Sequence, residues 1–554
     1  MPGPIPGSPP PPDFTGTAPA EPQKPAAPPT ASPPPDADWN APLGQIPDPK
    51  TSFTPGGPAR NPALLGAAPM GPVRPADAAG DVKAIPSVGE YDYVIVGSGA
   101  GGSPLAARLA LAGYRVCVLE AGGGSEDPIN AIPSFHALAS ELGLDPNEKT
   151  AGDAGKFLAT QDPTRDPKDP NFVKPGTPGM DGRSGIDMPR GWGLGGSPEV
   201  NAMITKLPPP QEWQAIYDAT GDEDWKPENM RRIWETAVEH NDAHPILKAL
   251  DSLGRALHLK GLEHIHGHGF HGWLDVSKPG LDSAIAAVQD PQLSRFFFET
   301  LKQTAGMGGV KDYLKRLSSG FDDNDDRVTS LPGFSVTPEA MKDGVRSDPG
   351  EHLKDAMDEC ERRRQATHGA FQGRIDIKTG ALATKVDLDD GTPPRATGVE
   401  LLAGDHLYEA DNKYNPLAKG TPARVTAKKE VILSAGTFNS PQLLMLSGIG
   451  PKQELANARI PIRLDRPGVG TNLQDRYEVG VVTQLKQPFE VLKDAKFTAD
   501  PRVDPKFKEW VQGNGGTYAT DGVAVAVAFK SDPKLDKPDV YIFGVPGDFH
   551  GYYP

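Results

Sequence analysis

The sequence predicts an α/β fold, and two stretches carry that expectation. The first, Tyr91 to Gly124, reads YDYVIVGSGAGGSPLAARLALAGYRVCVLEAGGG. Its apolar run Tyr93–Val96, rich in β-branched residues, has the pattern of a strand buried on both faces. Glycines follow at 97, 99 and 102, then a helical pattern from Leu105 to Ala112 that stops at Gly113. A second apolar strand, Val116 to Leu119, ends in Glu120. The second stretch is Lys429–Pro451, KEVILSAGTFNSPQLLMLSGIGP. Here an apolar strand, Val431–Leu433, meets a small-residue turn, Ser434–Gly436. A helix is expected to start near Asn439-Ser440-Pro441, where a cap residue precedes a proline, and to stop at Gly448.

The first stretch has the parts of a Rossmann-type unit. Gly97 permits the tight turn from strand to helix. Gly99 lacks a Cβ and lets a pyrophosphate approach the backbone, and Gly102 lets the helix pack on the strand. Ser98 lies inside this loop, and the helix N-terminus faces the anion. Glu120, 21 residues past Gly99, is placed to accept from a ribose hydroxyl. A 2′-phosphate would be repelled there, which disfavours NADP. The motif by itself fits FAD or NAD. Ser98 is not a nucleophile elbow, because Val96 stands where G-x-S-x-G needs glycine.

Composition narrows the function classes. The 554 residues suffice for two domains. Acidic residues outnumber basic ones by 73 to 57, giving a net charge of −16, which disfavours nucleic-acid and anionic-membrane partners. The mean hydropathy is −0.46, and no apolar run approaches the roughly 20 residues of a membrane span. The N-terminus MPGPIPGSPPPPD has no basic n-region or apolar h-region, so a cytoplasmic protein is expected. Two cysteines, Cys117 and Cys360, exclude a disulfide framework.

Taken in order, residues 1–85 are expected to be a disordered, partly polyproline tail, since 18 of the first 50 residues are proline. Residues 125–187 are polar and read as an excursion between core elements. Arg190–Ile204, RGWGLGGSPEVNAMI, brings a second glycine cluster that suggests backbone laid close to a ligand. Trp213, Trp225 and Trp234 are expected in the core. The histidines 264, 266, 268 and 271 raise a metal hypothesis, but no carboxylate or thiolate partner stands beside them. A solvated glycine-rich loop is the simpler reading, and no metal is expected. The acidic run Phe321–Asp326 lacks EF-hand spacing and is expected to be a solvated loop. A helix should run through Cys360 to Arg364, followed by two strands within Arg374–Leu388.

These segments resemble the glucose–methanol–choline (GMC) oxidoreductases, FAD enzymes that oxidise alcohols. Gly195, Gly196, Ser197, Asn201 and Met203 match the family's Gly-Gly-Ser-Ser-x-x-Asn-x-Met segment, with Pro198 in place of the second serine. In the family this loop lies along the flavin, with the asparagine near the isoalloxazine. Lys429–Pro451 resembles the second family signature, and Pro467 to Asp475 is similar to the family's Pro-x-Val-Gly-x-Asn-Leu-x-Asp. The resemblance also implies that Ala383 offers backbone bonds to adenine.

The resemblance implies a Rossmann-like FAD-binding domain, residues 86–276 and 346–476, with 277–345 as an insertion or substrate-domain segment. Residues 477–554 would begin an incomplete antiparallel-sheet substrate-binding domain, with strands at Val523–Phe529 and Asp539–Phe543. The expected cofactor is FAD, held by Gly97, Ser98, Gly99, Gly102, Glu120, Gly195, Gly196, Asn201, Met203 and Ala383. The expected chemistry is hydride transfer from an alcohol CH–OH to flavin N5. The family's catalytic-histidine segment would lie beyond Pro554, so the sequence reads as C-terminally truncated and the catalytic base is unknown. His264, His266, His268, His271 and His550 lie outside that motif. The electron acceptor is likewise not readable. Two alternatives stay open: an incompetent fragment or half of a split enzyme, and a lyase of the same fold.

Overall fold

In the computed structural model, the apolar run Tyr93–Val96 sits at the end of a longer strand, β1, Ser87–Val96. The turn glycines lead into α1, Gly102–Leu111, and β2 follows at Arg115–Leu119. Next come α2 (Pro210–Thr220), α3 (Pro227–Ala237), β3 (Val238–His240) and β4 (Leu274–Val276). Helices α4 (Pro291–Thr304) and α5 (Gly309–Ser318) precede β5 (Gly333–Ser335). Then α6 (Pro349–Ala366), β6 (Arg374–Lys378), β7 (Ala381–Leu388), β8 (Ala396–Ala403), β9 (Thr421–Leu433) and α7 (Gly436–Leu446) follow. The last strands are β10 (Val525–Phe529) and β11 (Val540–Gly544).

The structure describes residues 85–124, 128–136, 190–241, 268–279, 289–411, 414–473, 478–513, 515–522 and 525–547. It also describes short strand pieces between 154 and 187, and positions 248, 251 and 252. The described residues belong to one compact unit, residues 42–554. The expected tail up to residue 84, and the signature residues Asp475 and Arg476, lie outside the described residues.

The main sheet has six strands in the order β6-β2-β1-β9-β8-β7. The first four are parallel and the last three antiparallel to one another in turn. Val94 pairs with Cys117 on one side and Val431 on the other. Alternation along β1 supplies both faces, as a doubly covered sheet requires. Val94 and Val96 pack with Leu119, Val399, Leu401 and Leu443 of α7. Ile95 points the other way, against Ala106, Ala107 and Ala110 of α1 and Leu353, Ala356 and Cys360 of α6. The alanines let α1 approach the sheet closely. Helix α6 is capped by Asp348, whose Oδ1 accepts from the Glu351 backbone N–H at 2.9 Å. Cys117 and Cys360 are both free and buried, and burial pushes their thiols up to about 12 and about 11.

A second sheet, β5-β10-β11, is antiparallel, with Phe334 opposite Val527 and Val527 opposite Ile542. Among the described residues no helix is long and apolar enough to cross a membrane.

Three local expectations are corrected. Helix α7 starts at Gly436, so Pro441 lies inside it. Gly436, at φ 87°, turns the chain immediately after Ala435. Ser440 Oγ still accepts from the Ala435 N–H, at 3.1 Å, but from within the helix. The acidic run is interior: Asp322, Asp323, Asn324 and Asp325 are at most 2% exposed. Its charges are matched by Lys278, Lys206, Arg316 and Arg327. The tryptophans are not core: Trp225 is 37% exposed and stacks on half-buried Trp213.

Candidate functional site

The site is built where β1, β2 and β9 end. The Gly97 N–H donates to Leu119 O at 2.8 Å and the Ser434 N–H to Val96 O at 2.8 Å, so the first glycine sits between neighbouring strand ends. Gly97 has φ 95°, and a Cβ there would lie 2.4 Å from Ser434 O. A Cβ on Gly102 would lie 1.9 Å from Gly97 O. Both glycines are therefore required by the turn and by the seating of α1. Gly99 differs, because the nearest atoms to a Cβ there, Gly195 O and Gly196 Cα, are 3.8 Å away. The space its missing side chain leaves is open to a ligand, and α1 has no acidic residue in its first turn to oppose an anion.

Glu120 is 8% exposed and lies beneath this loop. Its Oε2 accepts from the Ser98 N–H at 3.1 Å and the Ser98 hydroxyl at 2.6 Å, and its Oε1 from the Gly122 N–H at 2.9 Å. Burial pushes its carboxyl above the usual range, although the donors on Ser98, Gly122 and Gly193 pull the other way. The carboxylate thus fixes the loop whose second glycine faces the open space.

The second glycine cluster folds onto the first. A Cβ on Gly196 would meet Gly99 Cα at 2.9 Å, and one on Gly195 would collide with the Glu199 carboxyl. Ser197 Oγ accepts from the Gly191 N–H at 3.0 Å and closes the turn. Asn201 and Met203 do not line the cavity between the two loops. Asn201 Oδ1 accepts from Arg346 Nη1 and from the Met203 N–H, each at 2.9 Å. Met203 is 1% exposed. Arg346 also donates to Asn130 O and Pro198 O, each at 2.7 Å. Burial pushes its guanidinium down to about 10 against the pull of Glu199, Asp348, Asp521 and Glu339. The departure from the family pattern at Pro198 is thus accommodated, because the carbonyl at that position is used.

The cavity has a volume of about 270 Å³. Small-molecule sites span roughly 300–1,000 Å³, so this space suits one end of an extended ligand. Gly97, Ser98, Gly99, Glu120, Gly196 and Ala383 all line it. Trp192 and Tyr408 form one wall, stacked at 5.2 Å and 9°. The Tyr408 hydroxyl donates to Asn439 Oδ1 at 2.7 Å. Sequence reasoning missed this pair. Trp192 sits inside the glycine cluster and was legible as a neighbour of the loop, whereas Tyr408 carries no local signal. Chemically, the arrangement can receive a phosphate against Gly99 and the α1 N-terminus, a ribose hydroxyl at Glu120, and a flat ring beside Ala383. The residues present therefore fit the adenosine–pyrophosphate end of a dinucleotide.

Of the histidines, His264, His266 and His550 lie outside the described residues. His268 Nδ1 is 3.2 Å from His240 Nε2, and His271 Nε2 is 3.4 Å from Asp251 Oδ2. Neither His268 nor His271 lines the cavity.

A family model described as GMC oxidoreductase matches residues 359–478. An oxygen-dependent choline dehydrogenase of Rhizobium etli (strain CIAT 652) is 28% identical over 460 residues, covering 82% of this chain and 65% of its own. Another, of Brucella anthropi, is 26% identical over 460 residues with the same coverage. Among solved structures, a variant of the formate oxidase of Aspergillus oryzae RIB40, characterised for FAD modification, matches with a TM-score of 0.54 at 20% identity. That match covers 80% of this chain and 62% of the other. A fungal aryl-alcohol oxidase matches with a TM-score of 0.50 at 21% identity, over 79% and 61%. These two likenesses concern the fold. The chain spans 65% of the length of the curated relatives it matches.

Proposed function

We propose that the chain is a member of the GMC oxidoreductase family, an FAD-dependent oxidoreductase acting on the CH–OH group of a small alcohol. The observation that carries this reading is the open backbone at Gly99. It faces a cavity of about 270 Å³ between two glycine loops, with Glu120 beneath it. Bound FAD would supply the hydride acceptor, flavin N5. In this reading Gly97, Ser98, Gly99 and Gly102 shape the pyrophosphate cradle, Glu120 takes the ribose, and Ala383 borders the adenine. Gly195 and Gly196 hold the second loop against the first. Asn201 and Met203, off this cavity, set the path of that loop toward the flavin ring through the Arg346 clamp. The cofactor-binding segments are 86–276 and 346–476, with 277–345 and 477–554 on the substrate side. The names of the relatives make choline the first substrate to test.

The test is to purify the chain, titrate FAD while following its visible absorption, and add choline and a panel of primary alcohols anaerobically. Stoichiometric FAD, and bleaching of its absorption by at least one alcohol, are the outcomes that would support the reading. Bound FAD that stays oxidised with every alcohol would sink the activity and leave the cofactor assignment standing. Failure to bind FAD would sink both.

A further inference from the structure

A second constellation lies away from the cofactor cavity. His240 ends β3, His268 follows it in space across the 238–240/268–272 backbone pairing, and Asp322 belongs to the buried acidic loop. One potential ligand atom from each of the three lies within 4.8 Å of the other two. His240 Nε2 and His268 Nδ1 are 3.2 Å apart, with ring centroids at 4.2 Å. Two zinc–nitrogen bonds of about 2.0–2.1 Å at a tetrahedral angle would separate the nitrogens by about 3.3 Å. His240 and Asp322 are 3% and 2% exposed, so these side chains are held by their surroundings.

We propose that His240, His268 and Asp322 form a binding site for one zinc ion, with water completing the coordination. Two imidazoles and a carboxylate are a zinc donor set, and this chain draws them from three separate segments. The neighbouring acids are otherwise engaged: Asp323 pairs with Lys206 and Arg316, and Asp325 with Arg327. Asp322 Oδ1 accepts from the Asn324 N–H at 2.8 Å, which orients the carboxyl. Lys278 Nζ lies 3.2 Å from Asp322 Oδ2, so a side-chain cation already answers this charge. Lys278 is 25% exposed on a flexible stem, and it can withdraw toward water when an ion enters. The ion would pin β3 and the 268–272 segment to the acidic loop that reaches the second sheet. This function is structural and independent of the alcohol-oxidising reading.

The test uses the full chain, stripped with a chelator and dialysed. Zn²⁺ is added alone and followed by calorimetry and by metal analysis after desalting. Co²⁺ is added separately and followed by visible absorption. We expect one equivalent of Zn²⁺ with sub-micromolar affinity, a raised melting temperature, and a tetrahedral-type Co²⁺ spectrum. His268→Ala and Asp322→Asn should each weaken Zn²⁺ at least tenfold, while His271→Ala leaves it unchanged. Because Asp322→Asn could misfold, the Co²⁺ spectrum of the unmutated chain stands as the independent check. Absence of stoichiometric Zn²⁺ and of a Co²⁺ band would overturn the proposal, as would binding lost in His271→Ala and kept in Asp322→Asn. In either case the 3.2 Å contact is a hydrogen bond between the two imidazoles.

Discussion

Glu120 is held from both sides of its carboxyl by the loop it supports, so its removal acts twice. Hydrogen bonds to a charged group contribute roughly 1.5–3 kcal/mol each in context. Glu120→Ala is therefore expected to weaken FAD by roughly 10- to 150-fold and also to lower the melting temperature of the protein without cofactor, since Ser98 and Gly122 lose their acceptor. Fluorescence titration with FAD checks the first effect and calorimetry the second. Unchanged FAD affinity would remove Glu120 from the site. The glycines separate the two roles more sharply. Gly99→Ala adds a methyl with no atom nearer than 3.8 Å, so the fold should be kept while FAD affinity drops at least tenfold. Gly102→Ala drives a methyl to 1.9 Å from Gly97 O and should abolish folding. If both alanine variants behaved alike, the open space at Gly99 would not be the ligand's.

At the scale of elements, α6 carries a pH dependence into the core. His352 is 5% exposed and stacks on Trp273 at 4.5 Å and 16°. Burial, and then Arg108, pushes its imidazole down to about 4 from the ordinary 6.5. Above pH 6.5 both folded and unfolded chains hold this ring neutral, and stability is full. As pH falls from 6.5 toward 4 the unfolded chain takes up a proton that the folded one refuses, and stability is lost. The difference corresponds to roughly 3 kcal/mol for this group. His352→Phe keeps the stack and removes the titration, so its melting temperature should fall less between pH 7 and pH 4 than that of the parent. Identical slopes would rule this contribution out. The contrast between elements also explains what was legible beforehand. The strand, three glycines, helix, strand and Glu120 are contiguous, and local periodicity places all of them. The start of α7 was misread because Asn439-Ser440-Pro441 has the composition of a cap, while the turn is made by Gly436. The buried acidic loop is not legible in the sequence because two of its counter-charges, Lys206 and Lys278, come from distant segments, Lys206 lying 117 residues from Asp323.

Across the whole molecule, the same long-range chemistry joins the second sheet to the rest. Asp323 is 1% exposed and receives Lys206 Nζ and Arg316 Nη1, each at 3.0 Å, and the Tyr541 hydroxyl at 2.5 Å. Burial alone would raise its carboxyl, but Lys206 and Arg316 outweigh that and hold it below the ordinary value. Arg316 also donates to Pro332 O at 2.9 Å and Phe334 O at 3.0 Å, so the hub grips β5 by its backbone and β11 through Tyr541. None of these partners is adjacent in sequence, and each side chain read alone is an ordinary surface charge. Asp323→Asn keeps the shape but leaves Arg316, itself 2% exposed, without its counter-charge. Breaking a buried pair in this way costs roughly 3–5 kcal/mol. The cost should be local, because the main sheet has its own cores on both faces. Hydrogen exchange followed by mass spectrometry is the measurement. Amides of β5, β10 and β11 should exchange at least about 100-fold faster in Asp323→Asn, since each 1.4 kcal/mol is tenfold, while β1, β2 and β9 keep their protection. Uniform loss across both sheets would show instead that the molecule unfolds as one cooperative body and that the hub is part of its single core.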